Sequence, residues 1–283
     1  MTPQAVWIDA VRTSHERLRG VLDRVGPQHY ESSAYPSEWS IAQVASHLGS
    51  QAEIFGLFLD AGLTNGVAPD GDAFKAVWAR WDAMAPADQV TESVAADERF
   101  VARLEEVASS GAPFEVELFG GPSDLSGVAA ARLAEHAVHT WDVEVVLDPA
   151  ATVGPEAVDL LVDRLPGTVA FAGRPSPDAE PTSVVVGTRG TERRFRLDLG
   201  ADAVRLEPVD VEAETAPDAS AAQEASEASE ASEAAAPTDA ADLVLPAESL
   251  VRLVYGRLDA EHTPEDVAGA EHLPALRRVF PGF

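Results

Sequence analysis

The first half of the chain alternates apolar and polar residues with the period of a helix. In "PQAVWIDAVRTSHERLRGVLDRV" the apolar positions are Val6, Ile8, Val11, Leu18, Val21, Leu22 and Val25, and Gly26-Pro27 ends the run. A second helix starts at "SIAQVASHLGSQAEIFGLFLDAGL", where Ser40 followed by Gln43 has the spacing of a capping box. The region from Asp72 to Ser110 predicts one or two helices with a break near Ala85-Pro86, and a further helix runs from about Ser123 to Leu147. Helices of this length joined by modest connections predict an up-and-down four-helix bundle, a fold whose core holds metal sites built from facing side chains.

The pattern changes near residues 150 to 155. "GPEAVDLLVDRLPGTVAFAG" predicts a helix joining two parts, "TSVVVGTRGTERRFRLDLG" a β-hairpin, and "AVRLEP" a further strand. After an interruption, "DLVLP" predicts a strand and "AESLVRLVYGRL" a helix, with "EDVAGAEHLPALRRVF" closing the chain. The organisation expected is therefore a helical domain over residues 1–150 and a small α+β domain over 151–283. The interruption, 212–241, repeats "EAS" three times and has no aromatic and no branched aliphatic residue, so it reads as a disordered acidic loop.

That loop explains much of a formal charge of -28, since nine acidic and no basic residues lie between positions 212 and 242. With 48 Asp and Glu against 20 Lys and Arg, the chain lacks the basic face that a phosphate backbone requires, and nucleic acid is not an expected partner. The N-terminus lacks the continuous apolar core of a signal peptide, and no run of about 18 apolar residues follows, so a cytoplasmic protein without a membrane span is expected. No cysteine is present, which excludes disulfides, a cysteine nucleophile and thiolate metal sites.

Candidate chemistry centres on the histidines. His15, His29, His262 and His272 have no partner at ligand spacing and read as ordinary surface or packing residues. His47 lies beside the apolar stripe of the second helix, after Ile41, Val44 and Ala45. In "LAEHAVHTWD", Glu135 and His139 share a face with Val128, Ala131, Val138 and Val146, whereas His136 shares one with Arg132 and Thr140. Periodicity thus points Glu135 and His139 into the bundle and places His136 nearer its surface. One carboxylate and two neutral imidazoles make a donor set that holds Zn²⁺ with an open fourth position; the alternative is that Glu135 simply pairs with an arginine or a histidine. There is no "HExxH", P-loop, "GxGxxG" or "GxSxG".

Two segments carry a resemblance. "EWSIAQVASHL", residues 38–48, and "RLAEHAVHTWDVEVVLDP", residues 132–149, resemble the tryptophan-to-histidine segment and the Glu-x-x-x-His helix of the mycothiol-dependent maleylpyruvate isomerase family, within the DinB-like superfamily of metal-binding four-helix bundles. "DLVLPAESLVRLVYGRL" is similar to that family's sterol-carrier-like C-terminal domain. The resemblance implies metal ligands at His47, Glu135 and His139, a divalent metal such as Zn²⁺, and mycothiol as thiol cosubstrate. It implies isomerisation or S-transfer on a small electrophile such as maleylpyruvate. In the isomerase form the thiol adds to an activated double bond, rotation follows, and elimination releases the trans isomer. Arg132, Arg252 and Arg257 are candidates to meet substrate carboxylates, and Asp142 to orient a ligand imidazole. Rival readings are a metal- or ligand-binding sensor built on the same residues, and an interaction protein that recruits a basic partner through its acidic loop.

Loop closure costs only about 0.6 kcal/mol more for each doubling of loop length. Replacing residues 214–238 by a short Gly/Ser linker should therefore leave the melting temperature almost unchanged in a calorimetric scan. Loss of the C-terminal transition would show that the segment packs.

Overall fold

The structure is a computed structural model and describes residues 3–35, 37–175, 180–209 and 241–282. It divides into two compact units, residues 1–163 and 164–283. The first comprises α1 (Pro3–Leu22), α2 (Ile41–Thr64), α3 (Gly71–Asp82), α4 (Pro86–Ser110), a small hairpin of β1 (Val116–Leu118) and β2 (Gly121–Ser123), α5 (Leu125–Glu144) and α6 (Pro155–Leu161). The second holds α7 (Leu165–Ala172), β3 (Thr182–Arg189), β4 (Arg194–Leu199), β5 (Val204–Pro208), β6 (Leu243–Pro246), α8 (Ala247–Val254) and α9 (Leu273–Val279). The acidic loop read at 212–241 lies, apart from Ala241, outside the described residues. Among the described residues no helix is long and apolar enough to cross a membrane.

Local signals set the helix ends. Ser40 and Gln43 exchange both bonds of the capping box, Gln43 N–H to Ser40 Oγ at 3.2 Å and Ser40 N–H to Gln43 Oε1 at 2.8 Å. Pro86 opens α4, where its missing N–H would have had no partner, and Gly111 ends it at φ +64°. Asp124 caps α5 by accepting from Gly127 N–H at 2.8 Å. The expected single helix after residue 154 is instead α6 and α7, separated by a 3₁₀ turn at Val162–Arg164, and the division between the units falls at that turn.

In the first unit α1, α2, α4 and α5 form the bundle: α2 packs most extensively on α4, and α1 on α5. The helices do not simply alternate in direction, as an up-and-down bundle would. Phe55 meets Phe100 and Asp60 pairs with Arg103, so α2 and α4 run parallel. Arg12 with Glu105 and His15 with Asp97 set α1 antiparallel to α4. The cause is α3, which occupies the return between α2 and α4 and leaves α4 starting at the same end as α2. A Cβ at Gly49 would collide with the Trp81 ring, so the glycine admits α3 close against α2.

The second unit is a four-stranded sheet in the order β5-β4-β3-β6, antiparallel except where β3 meets β6. Val184, Val186, Phe195, Leu197, Val204, Leu206, Leu243 and Leu245 are buried, alternating along their strands, and α7 and α8 supply Val169, Leu250 and Val254 to the same core. The sheet module follows the helical unit as the sequence pattern predicts.

Within the bundle a polar network is sealed. Asp97 of α4, fully buried, accepts from Arg132 Nη2 at 2.8 Å, and its other oxygen lies 2.7 Å from His136 Nε2 and 2.8 Å from His15 Nδ1. Arg132 also donates to the Leu48 carbonyl at 3.0 Å, and Ser14 Oγ lies 2.7 Å from His136 Nδ1. Burial alone would raise the Asp97 carboxyl; the charges of His136 and Arg132 and the hydrogen bonds from the two imidazoles bring it well below its ordinary 3.8. Asp97→Asn should therefore cost about 3–5 kcal/mol at neutral pH, because Arg132 would keep a buried charge without its counter-ion. A carboxylate depressed in the folded state contributes its full stability above its unfolded pKa and loses it as pH falls. The gap between wild type and Asp97→Asn, measured by urea melts, should therefore narrow from about pH 5 downward; a constant gap would contradict an ionised Asp97.

Candidate metal centre

His47 comes from α2, Glu135 and His139 from α5. One donor atom from each of the three lies within 4.8 Å of the others. His47 Nε2 is 3.3 Å and His139 Nε2 3.8 Å from the same oxygen, Oε2 of Glu135. Four ligands placed tetrahedrally at about 2.0–2.2 Å from a zinc ion stand roughly 3.3–3.6 Å apart; the 3.3 Å pair has that spacing and the 3.8 Å pair would close slightly around such an ion. All three side chains are half-buried, set at the edge of the bundle rather than within its sealed interior.

The surrounding residues fix the two rings. His139 Nδ1 lies 2.8 Å from Oδ2 of the fully buried Asp142, which places the proton on Nδ1 and leaves the Nε2 lone pair directed to the cluster. Trp39 stacks on His139 with its ring 6.1 Å away and 10° from parallel, and meets His47 edge-on at 5.3 Å. The segment carrying Trp39 is held in place by Tyr35 N–H donating to the Asp142 carbonyl at 3.0 Å and Ala34 N–H donating to the Trp39 carbonyl at 2.8 Å. Burial lowers His47 against the opposing pull of its bond to Glu135, so the imidazole favours its neutral form. Burial would raise Glu135, but the hydrogen bond from His47 and the charges of His139, His47 and Arg132 take it down to about 2. Neutral imidazoles and an ionised carboxylate are the protonation states in which these residues ligate a cation.

A cleft of about 410 Å³ opens beside His47, lined by Trp39, Gln43, Ser46, Ser50, Trp78 and Asp82. Its hydroxyl, amide and carboxylate groups and two indoles provide hydrogen-bonding positions and flat apolar surfaces.

The structure brings together the three residues read as ligands and sets Asp142 against one of them. It places His136 differently from the periodicity reading: the ring is completely buried, because the face of α5 carrying Arg132, His136 and Thr140 is turned inward onto Asp97 and Ser14. His15, read as an ordinary residue, belongs to the same network. Arg132 is likewise sealed by Asp97 and cannot meet a substrate carboxylate. In the second unit Arg252 is buried and paired with Glu248, and Arg257 is buried with Nη1 donating to the Tyr255 carbonyl. Asp97 was not singled out from sequence, although it interrupts an apolar stripe of α4 that runs through Val90, Val94, Val101 and Leu104. A lone carboxylate on such a stripe is the signal that marks it.

Residues 11–144 match the mycothiol maleylpyruvate isomerase N-terminal domain. The crystal structure of a mycothiol-dependent maleylpyruvate isomerase, and that of its histidine-to-alanine mutant, each superpose with a TM-score of 0.58 at 14% identity, covering 90% of this chain and 90% of theirs. At that identity the likeness establishes the fold. No protein of curated function matches the sequence. Residues 11–144 thus carry the mycothiol maleylpyruvate isomerase N-terminal domain.

Proposed function

We propose that this chain is a metal-dependent cytoplasmic enzyme that uses a low-molecular-weight thiol, mycothiol, for isomerisation or S-transfer on a small electrophile such as maleylpyruvate. The observation that carries the reading is the convergence of His47, Glu135 and His139 beside an open cleft. A divalent cation, zinc for this donor set, supplies the positive charge that keeps a thiol in its reactive thiolate form near neutral pH.

The chain's own residues do the rest. His47 and His139 present Nε2, and Glu135 presents Oε2, the single oxygen that both imidazoles face. Asp142 holds the proton of His139 on Nδ1 and so maintains the ligating tautomer. Trp39 covers the His139 ring and limits the approach of water from that side. Gln43, Ser46 and Ser50 offer hydrogen bonds to a polar cosubstrate entering beside His47. The chain has no cysteine, so the thiol comes from outside.

Metal analysis of the purified protein should give about one zinc per chain. His139→Ala should abolish stoichiometric binding, and Asp142→Asn should weaken it about 10–100-fold by releasing the ring orientation. His136→Ala should lower stability yet leave metal content of the folded protein unchanged, because that imidazole serves the Asp97 network.

Turnover of unsaturated diacids should require both metal and added thiol, with mycothiol outperforming glutathione. Activity without thiol would sink the thiol-dependent reading. Stoichiometric metal with no turnover under any thiol would leave a metal-binding sensor in its place.

A further inference from the structure

We propose that a second groove in the N-terminal unit binds a small apolar organic cation, an alkyl- or arylammonium, between α2, α3 and the β1–β2 hairpin. The groove encloses about 820 Å³ and shares no lining residue with the cleft beside His47. Phe58 forms its apolar floor. Phe74 of α3 and Phe119 at the hairpin tip stand 6.0 and 6.1 Å from the Phe58 ring, centroid to centroid. A cation near such ring faces is drawn by the ring quadrupole, and its apolar body displaces water from the phenyl surfaces.

Charge selects the sign of the ligand. Asp70, Glu115 and Glu117 line the groove, and among the described residues no lysine or arginine does. Asp70 uses Oδ1 to cap α3 by accepting from Asp72 and Ala73 N–H, at 3.1 and 3.0 Å, which leaves Oδ2 free of that duty. The side chains of Glu115 and Glu117 are exposed and have no hydrogen-bond or ion-pair partner among the described residues. Three carboxylates without a compensating cation attract an ammonium group and repel an anion.

The hairpin supplies an independent observation. Phe119 has φ +50° and is 72% exposed, followed by Gly120 at φ +88°. A tight turn with two left-handed residues favours Asn-Gly, and a phenylalanine there is both strained and wet. The backbone of the turn gains nothing from a phenylalanine there. The ring does stand over the groove, beside Phe58 and 6.2 Å from Phe55, where it serves as a wall for a ligand.

The test titrates the full-length protein with benzyltrimethylammonium, benzyl alcohol and benzoate, followed by calorimetry and saturation-transfer NMR. The cation should bind at one saturable site, with benzyl alcohol at least about fivefold weaker, benzoate not binding, and affinity falling as salt is raised. The double variant Glu115→Gln, Glu117→Gln should weaken cation binding at least about fivefold. Phe119→Gly should leave the melting temperature unchanged or raised, because glycine relieves the positive φ, while cation affinity falls several-fold. His139→Ala should bind the cation as wild type does, which separates this groove from the metal cluster. Equal affinity for the three probes, undiminished binding by Phe119→Gly, or no binding of the cation up to about 10 mM would each overturn the proposal.

Discussion

The bundle depends on one buried carboxylate. Asp97 has no route to water, and an ionised group in that position is tolerable only if every lone pair is met and its charge balanced. The partners come from different helices: His15 from α1, Arg132 and His136 from α5. Arg132 reaches on to the Leu48 carbonyl in α2, and its guanidinium lies 5.8 Å from the centroid of the Phe100 ring. Asp97 and Arg132 together thus join all four bundle helices through directional bonds. Apolar packing alone would tolerate small sliding of one helix past another, but these bonds do not. The register of α5 against α2 is set at Arg132 and Leu48, and the candidate ligands sit one residue before Leu48 on α2 and three and seven residues beyond Arg132 on α5.

The helical period explains why neighbouring histidines serve different ends. Successive residues on a helix are separated by about 100°, so His136 turns inward to Asp97 while Glu135 and His139 turn toward His47. The inward set is closed to solvent, with both oxygens of Asp97 met by Arg132, His136 and His15. The outward set is half-buried, with two imidazoles facing one carboxylate oxygen and a cleft beside them. An ion pair alone has no need of an Asp142 that holds one ring in a defined tautomer, or of a tryptophan stacked upon it. Those features are what a ligating imidazole requires.

The features legible in the sequence were local or periodic. The Ser40–Gln43 capping box, the break at Ala85-Pro86 and the hairpin ahead of "RFRLDL" depend on neighbours in the chain, and each stands where its residues indicate. Helix direction was not legible, because it turns on where α3 packs, and the determinant is a close approach at Gly49 to a tryptophan thirty-two residues away. The short β1–β2 hairpin lies in "EVELFGGPS", whose glycines mark a turn but whose strands are too brief for alternation to register. His136 was misplaced for a physical reason. A polar stripe of Arg, His and Thr looks solvated unless its buried counter-charge is known, and that counter-charge is on another helix. Glu135 and His139 were legible as neighbours on one face because they lie four residues apart, but periodicity expects that face to turn into the bundle, whereas both side chains are half-buried at its edge.

The separation of the two polar sets bears on what a metal would do for this fold. In small domains that fold only when loaded, the metal is the core, and its binding energy is folding energy. Here the helices are already crossed by the Asp97 network and by an apolar core containing Leu48, Leu104, Leu133 and Val138, none of which involves the candidate ligands. The cluster's geometry is therefore prepared before any cation arrives. Preorganisation of this kind lowers the ordering cost of binding and, on the proposed function, would leave a metal's charge available for chemistry at the cleft. The half-exposure of the cluster suits the proposed function: a fully enclosed ion would be a structural staple, whereas an ion at the bundle's edge would keep a coordination position for an incoming group. On the proposed function, the buried carboxylate carries the architecture so that the exposed one is free to carry the reaction.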